Sequence, residues 1–313
     1  MRKNISHVFS NNPLNRGEIE RRSEEWINKA AGSKSAKFLP VSDTQILLQK
    51  TPIPGDGIRP LGWISREDIV RLKIINEPLL LGLLQDITYF AIDVSNEVNA
   101  LKELESDDKF EFVDTRTAAE ITDNESAGII AQARSQVKWH MMNRFCSSCG
   151  YKTLIGRGGQ AIHCSNCGII HYPRTDPVII TVVYHKDMCL LGQTRGRSQS
   201  TNRYSALAGY IDQGESIEEA VIREVMEESG IQIGNVKYQS SQPWPFPYSL
   251  MIGCHAEAIT TSINFDAEEM RDVRWFNRNE VLLALSGKNE SLILPGPIAI
   301  AHHIIKSWAE QDQ

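Results

Sequence analysis

The sequence predicts an α+β protein built from two or three domains. Its 313 residues exceed the usual size of one domain, and 41% of them are hydrophobic and 23% charged, an ordinary globular composition. Strand-like apolar runs alternate with helix candidates, and two CxxC pairs mark a small segment between two larger parts. We therefore predict one domain over residues 1–130, a linker helix with a cysteine-rich segment over 131–173, and a second large domain over 174–313.

The first large part contains alternating helix and strand signals but no catalytic motif. A charged helix is predicted over residues 17–29, and strands over 37–41 and 45–49 pair across a Ser-Asp turn. The stretch TPIPGDGIRPLG has loop composition. A helix follows Ser65, with acidic residues in its first turn, and another is predicted over residues 127–142.

The second large part contains two strand-like runs, VIITVVYH and MCLLGQT. Its best-marked helix begins at Ser216, because Glu219 three residues later completes a capping box, and Gly230 is placed to end it. A last helix is predicted over residues 298–310.

Charge and hydropathy exclude several classes of protein. The net charge of -6 and the pI of about 5.8 give no overall field that would attract nucleic acid or anionic lipid. The first fifteen residues have no apolar core typical of a signal peptide, and the longest apolar run, Leu79–Leu84, is too short to cross a bilayer. We expect a soluble cytoplasmic protein without membrane contact, in a reducing compartment.

Four cysteines form two CxxC pairs, Cys146 with Cys149 and Cys164 with Cys167, and 14 residues separate the pairs. A glycine follows each pair and permits the tight turn that points both sulfurs to one place. Four thiolates in this spacing are typical of one structural Zn²⁺. Disulfides are less expected in a reducing compartment. A redox CxxC is less expected where two CxxC pairs face each other. Cys189 and Cys254 lie in apolar runs and are predicted to be core residues.

The segment around these cysteines is basic. Residues 126–175 contain no Asp or Glu. They contain six cationic side chains, those of Arg134, Lys138, Arg144, Lys152, Arg157 and Arg174. Part of this charge compensates a zinc centre with four thiolates, whose net charge is negative. The alternative is a surface that attracts a phosphate-bearing ligand, such as an RNA chain.

The helix that begins at Ser216 carries three carboxylates on one side. Glu224, Glu227 and Glu228 fall within an arc of about 100° and repel one another, and no lysine is interleaved with them. Such oxygen clusters suit Mg²⁺ or Mn²⁺. Glu215 is placed to add another oxygen, and Arg223 to pair with a carboxylate and orient it.

The stretch SQPWPFPYS, residues 241–249, cannot be a helix or a central strand, because its three prolines lack N–H donors. It is a packing loop, a proline-rich ligand for a partner, or a rigid backbone that presents flat aromatic rings to a ligand.

Residues 209–231, GYIDQGESIEEAVIREVMEESGI, resemble the complete Nudix box. This resemblance implies a Nudix α/β/α sandwich with a mixed sheet. It also implies hydrolysis of a nucleoside diphosphate linked to another moiety, with two or more divalent cations on the box glutamates. The cysteine segment and SQPWPFPYS resemble the NADH pyrophosphatase branch of the family. That branch carries a zinc ribbon and an N-terminal Nudix-like domain. The resemblance suggests that this N-terminal domain is a dimerisation platform and so implies a homodimer.

The resemblance to this branch also suggests roles for individual residues. Glu269 corresponds to a functional glutamate and would be a further metal ligand or the base, and Glu228 is the other candidate base. Nine residues correspond to positions around the substrate: Tyr172, Ile180, Tyr210, Gln242, Trp244, Phe246, Ser249, Met251 and Ala301. The implied substrate is NADH or NAD, cleaved to AMP and nicotinamide mononucleotide.

Three other functions are alternatives to the hydrolysis of NADH. Removal of an NAD cap from RNA uses the same chemistry on a larger substrate; the basic segment favours it, and the acidic net charge opposes it. A non-catalytic nucleotide sensor would not need the whole carboxylate set. Hydride transfer is disfavoured, because the glycines at 156–159 do not form GxGxxG after a strand and lie where a hairpin turn is expected.

Overall fold

The structure is a computed structural model that describes residues 7–196 and 202–311. The chain divides into two compact units. The N-terminal unit consists of residues 8–175 and 244–248, and the C-terminal unit of residues 176–243 and 249–313 together with His7, within the described ranges. The boundaries of the three domains proposed from the sequence stay predictions.

The N-terminal unit contains a five-stranded sheet. Its strands are β1 (Lys37–Ser42), β2 (Gln45–Gln49), β3 (Leu79–Leu84), β4 (Ile87–Asp93) and β5 (Phe110–Asp114), in the order β3-β4-β1-β2-β5. β1 and β4 run parallel, and the other neighbours are antiparallel. The predicted pairing of the first two strands is confirmed, because Val41 lies opposite Ile46.

The N-terminal unit also contains five α-helices: α1 (Glu24–Ala31), α2 (Arg66–Arg71), α3 (Val98–Ser106), α4 (Thr115–Ile121) and α5 (Asn124–Met142). The single helix predicted over residues 17–29 is wrong in its first half. The chain there forms a short 3₁₀ turn, Glu20–Arg22, and then Ser23 adopts an extended conformation and accepts a hydrogen bond from the Trp26 amide. A serine side chain that caps the following helix in this way interrupts the preceding turn.

A three-stranded antiparallel ribbon follows α5. Its strands are β6 (Thr153–Gly156), β7 (Ala161–Cys164) and β8 (Ile170–His171), in the order β6-β7-β8. A 3₁₀ turn, Arg157–Gly159, joins β6 to β7. The hairpin turn expected at these glycines is therefore confirmed.

The C-terminal unit contains a mixed six-stranded sheet, as predicted. Its strands are β9 (Asp176–His185), β10 (Met188–Thr194), β11 (Leu207–Tyr210), β12 (Ile233–Trp244), β13 (Ser249–Ala258) and β14 (Met270–Asn277). The order is β12-β13-β9-β10-β14, with β11 beside β9. β13 runs parallel to β9, whereas β10 and β11 run antiparallel to it. Because β12 lies at an edge, it tolerates Pro243 without the loss of a central ladder bond.

Helices cover both faces of this sheet. They are α6 (Ile217–Ser229), α7 (Arg278–Leu285) and α8 (Ile300–Ala309). Along β9, Ile179 and Val183 pack into the core that contains α6, whereas Ile180 and Val182 pack into the core that contains α7 and α8. This two-residue alternation is what a sheet buried on both faces requires, and it confirms the predicted α/β/α sandwich.

The two isolated cysteines are core residues, because Cys189 and Cys254 are both 0% exposed. Within residues 7–196 and 202–311, the structure contains no helix that is both long enough and apolar enough to cross a membrane.

Candidate active site

The carboxylate helix α6 begins where the sequence predicts. The Ser216 hydroxyl accepts a hydrogen bond from the Glu219 amide at 3.2 Å, and the Glu219 carboxylate accepts one from the Ser216 amide at 2.7 Å. This reciprocal capping box fixes the first turn of the helix. The box glutamates therefore project from a well-anchored helix rather than from a loop.

Arg223 joins the carboxylates of the box. Its guanidinium donates to both oxygens of Glu215 at 2.6 and 2.8 Å, to Glu224 at 2.8 Å and to Glu227 at 3.0 Å. It also donates to the Tyr210 carbonyl at 2.9 Å. A planar guanidinium can make this fork, whereas a lysine could not. The predicted role of Arg223 as an orienting residue therefore has a geometric basis.

The charges of this network shift several pKa values. The hydrogen bonds from Arg223 lower the pKa of the Glu215 carboxyl to about 2. Burial raises the pKa of the Glu224 carboxyl, the charges of Glu227 and Glu269 add to the increase, and the bond from Arg223 opposes it. One Arg223 thus does not neutralise all the negative charge of the cluster. An excess of clustered carboxylates is the chemistry that hard divalent cations require.

The second oxygens of Glu224 and Glu227 accept no hydrogen bond within the described ranges, so each carboxylate keeps one oxygen for a cation. Glu228 is 2% exposed, and its carboxylate accepts a hydrogen bond from the Ala208 amide of β11 at 3.2 Å. The donor set therefore fits Mg²⁺ or Mn²⁺ in its chemistry.

Gly209 leaves the space that Glu224 occupies. A Cβ atom added at Gly209 would overlap the Glu224 carboxylate. The close approach of β11 to α6 therefore requires a residue without a side chain at this position. This contact explains why the glycine that begins the box matters, although it lies fifteen residues before the glutamate.

We expect Gly209→Ala to displace the Glu224 carboxylate and to lower kcat/KM by about a hundredfold, or ~2.7 kcal/mol. The matched control is Gly234→Ala in β12, where the nearest atoms to a new Cβ lie at 3.8 Å, an ordinary contact. Kinetics of both variants check this expectation. If Gly209→Ala keeps the activity of the control, Glu224 does not need its observed position.

Glu269 lies in an exposed turn before β14, and its charge contributes to the raised pKa of Glu224. Its carboxylate makes no hydrogen bond to the described part of the chain, so it is accessible to water or a cation. This proximity agrees with the predicted role of Glu269, which stays a prediction.

The other predicted substrate residues of this unit differ in exposure. Tyr210 is 58% exposed, whereas Ile180 and Ala301 are 5% and 3% exposed and belong to the core beside α8. Met251 is half-buried and packs against the same core. Tyr210 is thus accessible to a flat ring, and the contacts of the others with a substrate stay predictions.

Gln242 is turned inward. It is 0% exposed, its amide nitrogen donates to the Ile298 carbonyl at 2.8 Å, and its amide oxygen accepts from the Ile300 amide at 2.7 Å. Ser249 is 8% exposed. Gln242 thus fixes the segment that leads into α8, a role that the sequence did not indicate.

The four cysteines lie together in the ribbon. The Sγ atoms of Cys146 and Cys167 are 3.7 Å apart, and those of Cys149 and Cys164 are 3.4 Å apart. All four sulfurs lie within 4.8 Å of one another. Tetrahedral Zn–S bonds of about 2.3 Å place sulfurs roughly 3.8 Å apart, so the geometry fits zinc.

The turns after the two cysteine pairs have the predicted geometry, because Gly150 and Gly168 have φ values of 73° and 74°. His171 was not predicted at this centre. Its Nε2 lies 3.3 Å from the Cys146 sulfur, and this hydrogen bond lowers the pKa of the Cys146 thiol to about 6.

The remaining predicted substrate residues, Tyr172, Trp244 and Phe246, belong to the N-terminal unit. Tyr172 is 66% exposed and borders a cavity of about 360 Å³. The residues that line this cavity are Trp139, Met142, Asn143, His171, Tyr172, Arg174 and Tyr248. Tyr248 of the aromatic stretch thus lies at a cavity, whereas Trp244 and Phe246 pack against Phe9.

The structure divides five of the six basic residues into two groups. Arg134 is 5% exposed, Lys138 pairs with Asp43 at 3.2 Å, and Arg157 pairs with Glu18 at 2.8 Å. Arg144 and Lys152 are exposed and form no ion pair with any described residue. The charge available to an external phosphate is therefore smaller than the sequence suggests.

Three family models match consecutive parts of the chain. The NADH pyrophosphatase-like rudimentary NUDIX domain matches residues 35–139. The NADH pyrophosphatase zinc ribbon domain matches residues 143–172, and the NUDIX domain matches residues 173–294.

Curated proteins match as well. The chain is 47% identical over 193 residues to NAD-capped RNA hydrolase NUDT12 of Macaca fascicularis. The matched region covers 58% of this chain and 41% of that protein. It is 35% identical over 386 residues to Nudix hydrolase 19, chloroplastic, of Arabidopsis thaliana, which covers 98% of this chain and 86% of that protein. It is 37% identical over 256 residues to NAD(P)H pyrophosphatase NUDT13, mitochondrial, of Mus musculus, at 75% and 72% coverage. The chain thus spans about two fifths of the Macaca protein and most of the other two.

Proposed function

The chain belongs to the Nudix hydrolase family, and from this premise we propose that it hydrolyses the pyrophosphate of NADH and NAD. The products are AMP and reduced or oxidised nicotinamide mononucleotide. The carboxylate network around Arg223 carries this proposal. The names of the relatives, NAD(P)H pyrophosphatase and NAD-capped RNA hydrolase, support the choice of a nicotinamide dinucleotide.

We propose that Glu224, Glu227 and Glu228, with Glu215 and Glu269, hold two or more Mg²⁺ or Mn²⁺ ions. Bound cations would offset the negative charge that develops on the phosphoryl oxygens and the leaving group. Arg223 keeps the carboxylates in place, since its guanidinium bonds to three of them. Four cysteines leave no open position for a substrate on zinc, so the Zn²⁺ site is structural.

A carboxylate takes the proton of the attacking water, and Glu228 and Glu269 are the candidates. Glu228 is buried and already accepts a hydrogen bond, whereas Glu269 is exposed. Glutamine variants at each position distinguish them, because loss of the base lowers turnover much more than it lowers the affinity for Mn²⁺, whereas loss of a metal ligand alone lowers both.

The nine residues carried over from the resemblance are proposed to contact or position the dinucleotide, six of them in the C-terminal unit and three in the N-terminal unit. Tyr210 and Tyr172 are exposed and offer aromatic surfaces. Ile180, Met251 and Ala301 pack in the core beside α8 and are proposed to support the apolar part of the substrate site from there. Gln242 and Ser249 flank the aromatic loop that carries Trp244 and Phe246.

Removal of divalent cations tests the metal dependence of this function. We expect hydrolysis of NADH to stop after a mild chelator treatment that leaves the zinc in place, and to return when Mn²⁺ or Mg²⁺ is added. AMP release and zinc content are measured on the same samples. Hydrolysis that persists without divalent cations would contradict the role of the carboxylates.

Removal of an NAD cap from RNA is the second candidate function. The exposed cation Arg144 favours it, as does the name of the Macaca relative. The same assay with NAD-capped RNA distinguishes the two functions: cleavage of capped RNA far faster than NADH would make RNA the main substrate. Binding of NADH without turnover would point instead to a sensor.

We further propose a homodimer and a cytoplasmic location. Cross-strand pairing in the ribbon places Phe145, Lys152 and Leu154 on one face of the sheet. Phe145 and Leu154 are 65% and 56% exposed, which is typical of a surface that a partner covers. Sedimentation of the purified chain tests the dimer.

Fluorescence microscopy of a tagged chain tests the cytoplasmic location. The names of two relatives place those proteins in the chloroplast and the mitochondrion instead.

A further inference from the structure

The rings of the aromatic loop, residues 244–248, are held inside the N-terminal unit. Phe9 contacts the Trp244 and Phe246 rings edge-on, with centroid distances of 5.9 and 5.8 Å. Trp244 and Phe246 also contact each other, with centroids 5.1 Å apart. These two rings therefore pack against the protein itself.

Two arginines cover the same rings. The Arg116 guanidinium of α4 lies 5.2 Å from the centroids of both Trp244 and Phe246. The Arg134 guanidinium of α5 lies 4.9 Å from the Phe246 centroid. A cation over a ring face is attracted by the ring quadrupole, and more strongly where water is excluded, as at the buried Arg134.

The backbone of the loop needs donors from elsewhere. Its prolines have no N–H, and one local bond joins the Phe246 amide to the Trp244 carbonyl at 2.7 Å. Arg134 donates to the carbonyl of the buried Pro245, and the Ser135 hydroxyl donates to the Pro247 carbonyl at 3.0 Å. Consecutive residues of α5 thus satisfy two carbonyls of the loop.

Burial of an arginine side chain carries a desolvation penalty that burial of an apolar side chain does not. Burial lowers the pKa of Arg134, and the Nε atom finds no hydrogen-bond partner among the described residues. An apolar side chain of the same volume would pack there at lower cost if filling the space were its whole task. We therefore assign two roles to Arg134: it donates a hydrogen bond to the Pro245 carbonyl, and it places a positive charge over the Phe246 ring.

We propose that Arg134, Ser135 and Arg116 are positioning residues for substrate binding, which anchor Trp244 and Phe246 so that Tyr248 is the ring of the loop that meets the ligand. Tyr248 lies at the cavity that Tyr172 also borders, and the Arg174 guanidinium is 5.9 Å from its ring centroid. An aromatic ring beside a cation suits a nucleotide, with a flat base and a phosphate. This inference rests on the proposed function, because the ligand is the dinucleotide.

The test measures NADH kinetics of Arg134→Met and Ser135→Ala. We expect Arg134→Met to raise KM about tenfold, or 1.4 kcal/mol, with kcat within twofold, because the substrate is bound less well but the box is intact. Ser135→Ala is expected to raise KM about threefold, and Arg134→Lys to restore part of the loss. The matched control is Arg71→Met, which removes an exposed arginine paired with Asp68 and Glu103 and should leave KM unchanged.

Hydrogen exchange of a peptide that covers residues 240–250 gives a readout independent of activity. We expect faster exchange there in Arg134→Met than in the wild type and in Arg71→Met. If Arg134→Met does not fold, Ser135→Ala and Arg134→Lys decide by the same two measurements. Unchanged KM and unchanged loop exchange in folded variants would overturn the proposal. A wild-type protein that releases no AMP from NADH would instead overturn the proposed function, and loop exchange would still decide whether Arg134 anchors the loop.

Discussion

Glu227→Gln is expected to lower kcat/KM for NADH by about a thousandfold, or ~4 kcal/mol, and to leave NADH binding and zinc content intact. Glutamine keeps the shape of glutamate but removes the charge that holds a divalent cation. The Glu227 side chain is 54% exposed and accepts a hydrogen bond from Arg223, which the amide oxygen of glutamine can also accept, so the substitution should not disturb the fold. The buried Glu224 and Glu228 do not permit so clean a comparison.

The matched control is Glu218→Gln on the same helix. Glu218 is exposed and lies outside the network around Arg223. Steady-state kinetics, with NADH binding followed by nicotinamide fluorescence, measure both variants. If Glu227→Gln keeps wild-type turnover with full binding, the carboxylate helix is not the catalytic centre.

Cys149→Ser is expected to abolish zinc binding and to unfold the ribbon. The ribbon strands contain two to four residues each, and its buried apolar side chains include Ala161 and Ile162. Such a small core cannot offset the chain entropy of folding without the metal, whose binding is part of the folding free energy. We expect zinc to fall from one ion per chain to almost none, and residues 143–172 to become sensitive to protease.

Ser148→Ala provides the control, since Ser148 is exposed and lies between the first two cysteines without supplying a sulfur. Atomic absorption and limited proteolysis measure both variants. Retention of one zinc ion per chain by Cys149→Ser, with an intact ribbon, would mean that the four cysteines do not form a metal site.

Local patterns in the sequence predicted most of the fold. Three predicted features depend only on neighbours in the chain, and all three are confirmed. They are the Ser216 capping box, the pairing of β1 with β2 and the hairpin turn at residues 156–159. The break before α1 was missed, because an apolar and charged pattern does not reveal which serine will cap a helix. The Nudix resemblance, confirmed by the comparisons, supplied the architecture that periodicity alone could not.

The candidate site was predictable where its residues are adjacent and not where distant segments meet. Arg223 and its carboxylates could be placed from helical spacing, but its bond to the Tyr210 carbonyl could not. His171 beside Cys146 and Arg134 beside Pro245 join residues 25 and 111 positions apart. No local signal marks such contacts, since tertiary packing alone decides them.

The products formed from NADH test the central claim most directly. The purified chain is incubated with NADH and Mn²⁺, and the products are separated by anion exchange, with Glu227→Gln alongside. Hydrolysis of the pyrophosphate predicts AMP and reduced nicotinamide mononucleotide in equal amounts, and about a thousandfold slower formation of both by the variant. Intact NADH, or nicotinamide release in place of AMP, would contradict the assignment of this chain as a dinucleotide pyrophosphatase.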